Sequence, residues 1–373
     1  MRADSQVLHP LDAAGESLAR AEDGIALVAR ATPLDVHAEI HRLSKLAANG
    51  AHLRPVFRYA AVPDLAAIRS GLERMAREAA AHGAMGRLLA ARAEELELEA
   101  RLAGCIGTPA FAALAARRFR APRGALATRV AAFVEGALAA PQPSDAGALV
   151  ASDDGASPAS LFSRLTRGAR ELGFSIRVVV RPEQLATAAT GHGIVAIRPG
   201  VLLDADTAAR IAGHELLAHA LPRARSVHAA SAVFRAGTAG SVEGEEGRAV
   251  LVEERAGYLG PARRRELALR HVAALAVRRG ADFHETAGEL LSRGANVRAA
   301  IEIAVRVHRG GGLARELVYL PAYCEVRAAF AREPELERFF ERGRVGLEAA
   351  LGLHAERADR SARFERSSNQ NPV

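Results

Sequence analysis

Apolar positions recur at helical spacing through most of the chain. Leu65, Ile68, Leu72 and Met75 fall on one helical face behind Asp64, a capping residue. Leu88, Leu89, Leu96 and Leu98 repeat the pattern between Met85 and Leu102. Thr108-Pro109 reads as an N-cap followed by proline at the first helical position. Residues 34–140 therefore read as an N-terminal helical region behind a mixed lead-in, 1–33, and their leucines and methionines are core positions. The run from Pro141-Gln142-Pro143-Ser144-Asp145 to Asp153-Asp154-Gly155 is rich in turn formers and marks a linker over 141–160.

Beyond the linker the pattern changes. Ser175-Ile176-Arg177-Val178-Val179-Val180 is β-branched and partly alternating, which predicts a strand. Gly193-Ile194-Val195-Ala196-Ile197 predicts a second, short and buried. Asp206-Thr207 is expected to cap the next helix, and helices are expected again near 243–258, 261–279, 282–293 and 296–307. His308-Arg309-Gly310-Gly311-Gly312 is a glycine-rich turn without the Gly-Lys-Ser/Thr ending of a phosphate loop. Residues 355–373 are polar and expected to be disordered. The fold class is thus α+β, predominantly helical, with a small edge sheet and a main domain over 161–354.

Composition narrows the function. At 373 residues the chain can bury a substantial core. Its formal charge is +7 and its pI about 10.3, yet Lys45 is the only lysine. The arginine bias points to a GC-rich coding genome and a bacterial source. Glutamates interleave with the arginines, as in Arg92-Ala93-Glu94-Glu95, and tryptophan is absent, so no nucleic-acid partner is expected. No stretch is long and apolar enough to span a bilayer, so no membrane is expected either. Cys105 and Cys324 are too few for a disulfide framework, and the start lacks a signal peptide's apolar core. A cytoplasmic protein is expected; its oligomeric state is left open.

The chemistry concentrates in Ile211-Ala212-Gly213-His214-Glu215-Leu216-Leu217-Ala218-His219. Two imidazoles to hold a metal and a carboxylate to handle a water proton are what a hydrolytic zinc site needs. The histidines are five apart, whereas the common zincin spacing is four. Five residues of α-helix advance about 500° and splay the rings by roughly 140°. A local insertion such as a π-bulge between them is therefore expected. A third ligand is sought in Ser241-Val242-Glu243-Gly244-Glu245-Glu246. Glu246 is preferred, with Ala249 one turn along giving room for close helix packing; Glu243 and Glu245 are rivals. Glu253, two turns on, is placed to orient a ligand histidine. Two strands followed by the metal helix is the order of a zincin, whose edge strand lines the substrate cleft.

Other histidines carry less. His37 and His41 have the four-residue spacing, but Glu39 sits on the wrong side of the helix and no third ligand follows. His284-Glu285 has no partner histidine, and Glu285 reads as a helix-dipole partner. His308 is as well explained by packing as by catalysis.

In order along the chain, His214 to His219, Glu246-Gly247-Arg248-Ala249-Val250-Leu251, and Arg306-Val307-His308-Arg309-Gly310-Gly311 with Glu316-Leu317-Val318-Tyr319-Leu320 resemble three motifs of one family. Arg54-Pro55-Val56-Phe57-Arg58-Tyr59 resembles a fourth, so the resemblance spans roughly residues 35 to 345. The family is that of the tyrosine carboxypeptidases typified by microtubule-associated tyrosine carboxypeptidase. Its bacterial relatives are labelled flavohaemoglobin expression-modulating QEGLA-motif proteins. The resemblance implies a gluzincin-like zinc (Zn2+) metallopeptidase that removes a C-terminal residue from a peptide or protein. It implies His214, His219 and Glu246 as ligands and Glu215 as base. Two departures are visible: Arg248 replaces the usual leucine, and Ala314-Arg315-Glu316 stands where Thr-Lys-Asp is usual. Tyr319, after the glycine-rich turn, is a candidate oxyanion donor. Arg306 and Arg309 are candidates for a bidentate grip on the terminal carboxylate. The alternative function is a zinc-binding regulatory protein with little or no turnover.

Overall fold

The structure is a computed structural model that describes residues 10–141, 147–191, 193–229 and 231–368. It is predominantly helical, with two small sheets. Strand β1 (Val150–Ala151) pairs antiparallel with β5 (Leu202–Leu203). Strands β2 (Arg177–Val180), β4 (Ile194–Ile197) and β3 (Ala188–Thr190) form the second sheet, in the order β2-β4-β3. β2 runs parallel to β4, and β3 runs antiparallel to it on the open edge. The two strands expected from β-branched runs are β2 and β4. β3, Ala-Ala-Thr, is an addition.

β4 alternates in burial, and its inward Val195 and Ile197 are fully buried. They pack with Leu161, Leu165 and Ala169 of the Leu161–Glu171 helix and with Ile211, Ala212 and Leu216 of the metal-motif helix. The sheet thus fixes that helix beside edge strand β3. A larger apolar cluster joins the N-terminal helices to Leu313 and Val318 next to the glycine-rich turn.

Several expectations change. The mixed lead-in contains two helices, Pro10–Ile25 and Leu27–Ala31, and Leu18, Ile25, Leu27 and Ala31 enter that larger core. Within the expected linker, Val150–Ala151 forms β1 and the buried Ser152 hydroxyl donates to the Arg198 carbonyl at 2.6 Å; residues 142–146 lie outside the described residues. Thr108 does not cap the Ala110–Arg118 helix with its side chain; its hydroxyl donates back to the Cys105 carbonyl. The cap of the metal-motif helix is Asp204, not Asp206: its carboxylate accepts from Thr207 N–H at 2.8 Å. The Leu347–Ser368 helix runs through most of the expected disordered tail, and 369–373 lie outside the described residues. Among the described residues no helix is long and apolar enough to cross a membrane.

Candidate metal centre and active site

The helix that starts at Ala205 is α-helical to Gly213 and then becomes a π-helix over His214–Ala220. Each π turn holds one extra residue. That brings the rings of His214 and His219 to 5.1 Å between centroids, where an α-turn would splay them. The wider turn creates a difficulty. Leu221 N–H bonds to Leu216 C=O, five residues back. The same register would pair Leu217 C=O with residue 222, which is proline and has no N–H. Arg248 fills the gap: its Nη1 donates to the Leu217 carbonyl at 2.7 Å. The arginine that departs from the motif's leucine thus caps a carbonyl orphaned by the π-turn. Arg248→Met should leave that carbonyl without its donor and cost about 1–3 kcal/mol in urea unfolding. A loss under about 0.5 kcal/mol would show that the π-turn needs no such cap.

The Ser241–Arg255 helix faces the histidines. Gly247 lets it lie against Tyr319–Arg332, because a Cβ there would come within 2.6 Å of Ala322 backbone atoms. Close packing at this point therefore depends on Gly247, beyond the small Ala249. Its three glutamates separate by partner. Glu243 pairs with Arg118 at 2.6 Å. Glu245 pairs with Arg223 at 2.9 Å and Arg344 at 3.4 Å. Glu246 places Oε2 3.7 Å from His214 Nε2 and 3.9 Å from His219 Nε2. Its other oxygen accepts from Arg315 at 2.9 Å. Burial works to raise the Glu246 carboxyl, but Arg315 and the two imidazoles hold it well below the usual carboxylate range.

Glu253 is fully buried and orients His214. Its Oε1 lies 2.7 Å from His214 Nδ1, and Arg263 grips both its oxygens at 2.7 and 2.9 Å. Burial opposes its ionisation, yet Arg263 and His214 keep its pKa at about 2. With Nδ1 committed to this carboxylate, His214 presents Nε2 to Glu246. Burial alone would lower His214, but the carboxylates of Glu246 and Glu253 raise it to about 10. His219 is lowered, chiefly by burial. Glu215 sits beside this group, and Thr190 of β3 donates to its Oε2 at 2.7 Å.

The Val297–Gly312 helix breaks at its end, where Arg309 is extended and Gly310 and Gly311 have φ of 71° and 109°. Glycine permits that reversal at no steric cost. Gly310 N–H donates to Tyr59 Oη at 2.9 Å, tying the Arg54–Tyr59 segment to the turn. The turn delivers Arg306, Arg309, Arg315 and Tyr319 to one cavity. Arg309 lies 3.9 Å from Glu316. Arg306 donates to the Leu185 carbonyl at 3.5 Å, and burial with Arg270 nearby lowers its pKa to about 10. Arg315 also donates to Tyr319 Oη at 3.3 Å, and Arg270 stacks over the Tyr319 ring at 4.4 Å.

His214, Glu215, His219, Glu246, Arg306, Arg309 and Tyr319 therefore all line a single cavity of about 410 Å³. Thr190 and Arg315 belong with them and were not singled out from the sequence as site residues. Arg315 carried a signal, its replacement of the motif's lysine; Thr190 carried none. The outlying histidines lie elsewhere: His37 contacts the Gln184 carbonyl, and His308 bonds Thr286. Glu285 completes a capping box with Asp282.

The donor set fits a zinc ion. One ring nitrogen of each histidine and one Glu246 oxygen lie within 4.8 Å of one another. Glu246 Oε2 is buried with no hydrogen-bond partner. Around a tetrahedral zinc such atoms would stand about 3.3 Å apart, and the two Nε2–Oε2 distances, 3.7 and 3.9 Å, exceed that by about half an ångström. One wall of the cavity comes from Glu22, Asp23, Ala26, Leu27 and Val28 of the first two helices. Ala26 takes the left-handed conformation between them, at φ 41°. Arg344 grips both oxygens of Glu22, and Arg92 lies 3.0 Å away.

A sequence model of the family described as microtubule-associated tyrosine carboxypeptidase matches residues 44–359. No curated protein matches the sequence. The wall at Glu22–Val28 lies upstream of the matched region.

Proposed function

The chain belongs to the microtubule-associated tyrosine carboxypeptidase family, and from that premise we propose a zinc-dependent metallocarboxypeptidase of gluzincin-like design. It acts on the free C-terminus of a peptide or protein. The observation that carries the reading is the partnerless Glu246 Oε2, buried and facing two imidazoles beside Glu215. His214, His219 and Glu246 hold the ion, which supplies Lewis acidity toward water and the scissile carbonyl. Glu215 accepts the proton of the attacking water and returns it to the leaving amine. Thr190 holds the Glu215 carboxylate in place. The Tyr319 hydroxyl, fixed by Arg315, donates to the developing oxyanion.

Substrate orientation follows from β3. Thr187 C=O and Gly191 N–H pair with Arg198 and Ile194. Alternation then turns the main-chain groups of Ala188 and Thr190 toward the open edge, which lines the cavity. An extended peptide can pair there and direct its terminal carboxylate to Arg306, which meets a neutral carbonyl at 3.5 Å.

Peptides with free and amidated C-termini test the reading. Hydrolysis of the free form should exceed that of the amide by at least about a hundredfold, since a buried charged contact is worth roughly 3 kcal/mol or more. Arg306→Ala should abolish that difference while zinc content is unchanged. Equal cleavage of both peptides by the wild type would make the protein an endopeptidase.

A further inference from the structure

A second cavity, of about 670 Å³, adjoins the catalytic one, and Thr190, Gly191 and Arg223 line both. Much of its wall is apolar, from Leu172, Phe174, Ile176, Leu221 and Val227, with Arg223, Arg225 and His228 forming a polar side. Val227 is 63% exposed and Leu172 39% exposed. Phe174 and Ile176 are half-buried against the cluster that supports the sheet. Exposed apolar surface gathered in a concave site and continuous with a catalytic cleft is the usual form of a side-chain pocket.

The cleft also has a direction. Ala186, Thr187 and Ala188, at the start of β3, border a recess of only about 110 Å³ where Arg210, Arg263, Arg270 and Arg306 outnumber the carboxylates of Glu215 and Glu266. Thr190 and Gly191, at its end, open into the apolar cavity. A terminal carboxylate fits the narrow cationic end. The remainder of the peptide then runs antiparallel to β3 and leaves over Thr190 and Gly191.

We infer that the apolar cavity binds a large apolar side chain, aromatic or branched aliphatic, upstream of the scissile bond in the substrate's tail. This rests on the carboxypeptidase reading and adds a substrate class to it: extended C-terminal tails with an apolar anchor. Burying one large apolar side chain gives a gain of roughly ten- to hundredfold.

The test uses the full chain with zinc and a set of free-acid peptides. All share their last two residues, and one Phe is moved stepwise from one to five positions upstream in a Gly/Ser background. A blocked dipeptide, too short to reach the cavity, is the reference. kcat/KM should rise at least about tenfold at one Phe position, and replacing that Phe by Glu should remove the gain. Ala224→Trp, which places a bulky ring in the cavity, should lower the ratio of Phe peptide to dipeptide toward the Gly/Ser value. Fluorescence anisotropy with labelled Phe and Gly/Ser peptides reads the same preference without turnover. A cleaved dipeptide with every Phe position equal within about twofold overturns the inference and leaves the carboxypeptidase reading standing. Cleavage of no peptide in the set, with selective binding of the Phe peptide, overturns the enzymatic reading and retains the cavity. Equal binding of all peptides by the wild type overturns the inference whatever the fate of Ala224→Trp.

Discussion

Glu215→Gln is expected to keep its zinc and lose its hydrolysis. The carboxylate stands beside the donor set without belonging to it: its Oε2 accepts from Thr190, and the three atoms that converge are on His214, His219 and Glu246. The amide preserves the size of the side chain, but it cannot take a proton from water. Removing a general base costs roughly two to four orders of magnitude, and more where the same group protonates the leaving amine. Zinc content by plasma emission and kcat/KM on a free-acid peptide separate the two roles. Loss of zinc from Glu215→Gln would make this residue a ligand and remove the mechanism. A wild-type protein that holds zinc and cleaves no peptide would favour the regulatory alternative.

The second large effect is on the metal itself. On the proposed reading, three protein ligands with one open position would hold about one zinc per chain. His214→Ala and His219→Ala should each bring occupancy close to zero after dialysis against a weak chelator, and activity should fall with it. Glu246→Ala should do the same, whereas Glu245→Ala should keep its zinc, because Glu245 is engaged by Arg223 and Arg344. Glu253→Gln should fall between, weakening zinc roughly 10–100-fold, as expected when the group orienting a ligand histidine is altered. Full occupancy in either histidine variant places the metal elsewhere.

Where covalent geometry forced the outcome, the sequence was legible. Five-residue spacing on a helix requires an inserted residue if both rings are to meet, and the π-helix over His214–Ala220 has one. The β-branched runs showed β2 and β4 for the same kind of reason. β3 could not be read, since Ala188-Ala189-Thr190 has no strand signal and exists because β4 offers it an edge. Nor could Glu246 be separated from Glu243 and Glu245 by spacing alone. What distinguishes them is the partner each meets: Arg118, Arg223 and Arg344 come from distant parts of the chain. The first two helices were hidden by the break between them, which is made by a left-handed alanine rather than by glycine or proline. Asp204 and Asp206 are both plausible caps on paper, and only Asp204 takes the extended backbone a cap requires.

The clasp between Glu22 and Arg344 sets a schedule for synthesis. Its two residues are 322 positions apart. At roughly 5–20 residues per second, the ribosome needs about 16 to 64 s to travel between them. The segments carrying His214, His219 and Glu246 are translated well before Arg344 and can meet first, but Arg344 also holds Glu245 on the same helix as Glu246. Until it arrives, two carboxylates destined for burial lack the guanidinium they share, and the cleft lacks a braced wall. A nascent chain is therefore without this brace of the cavity wall until Arg344 has been made.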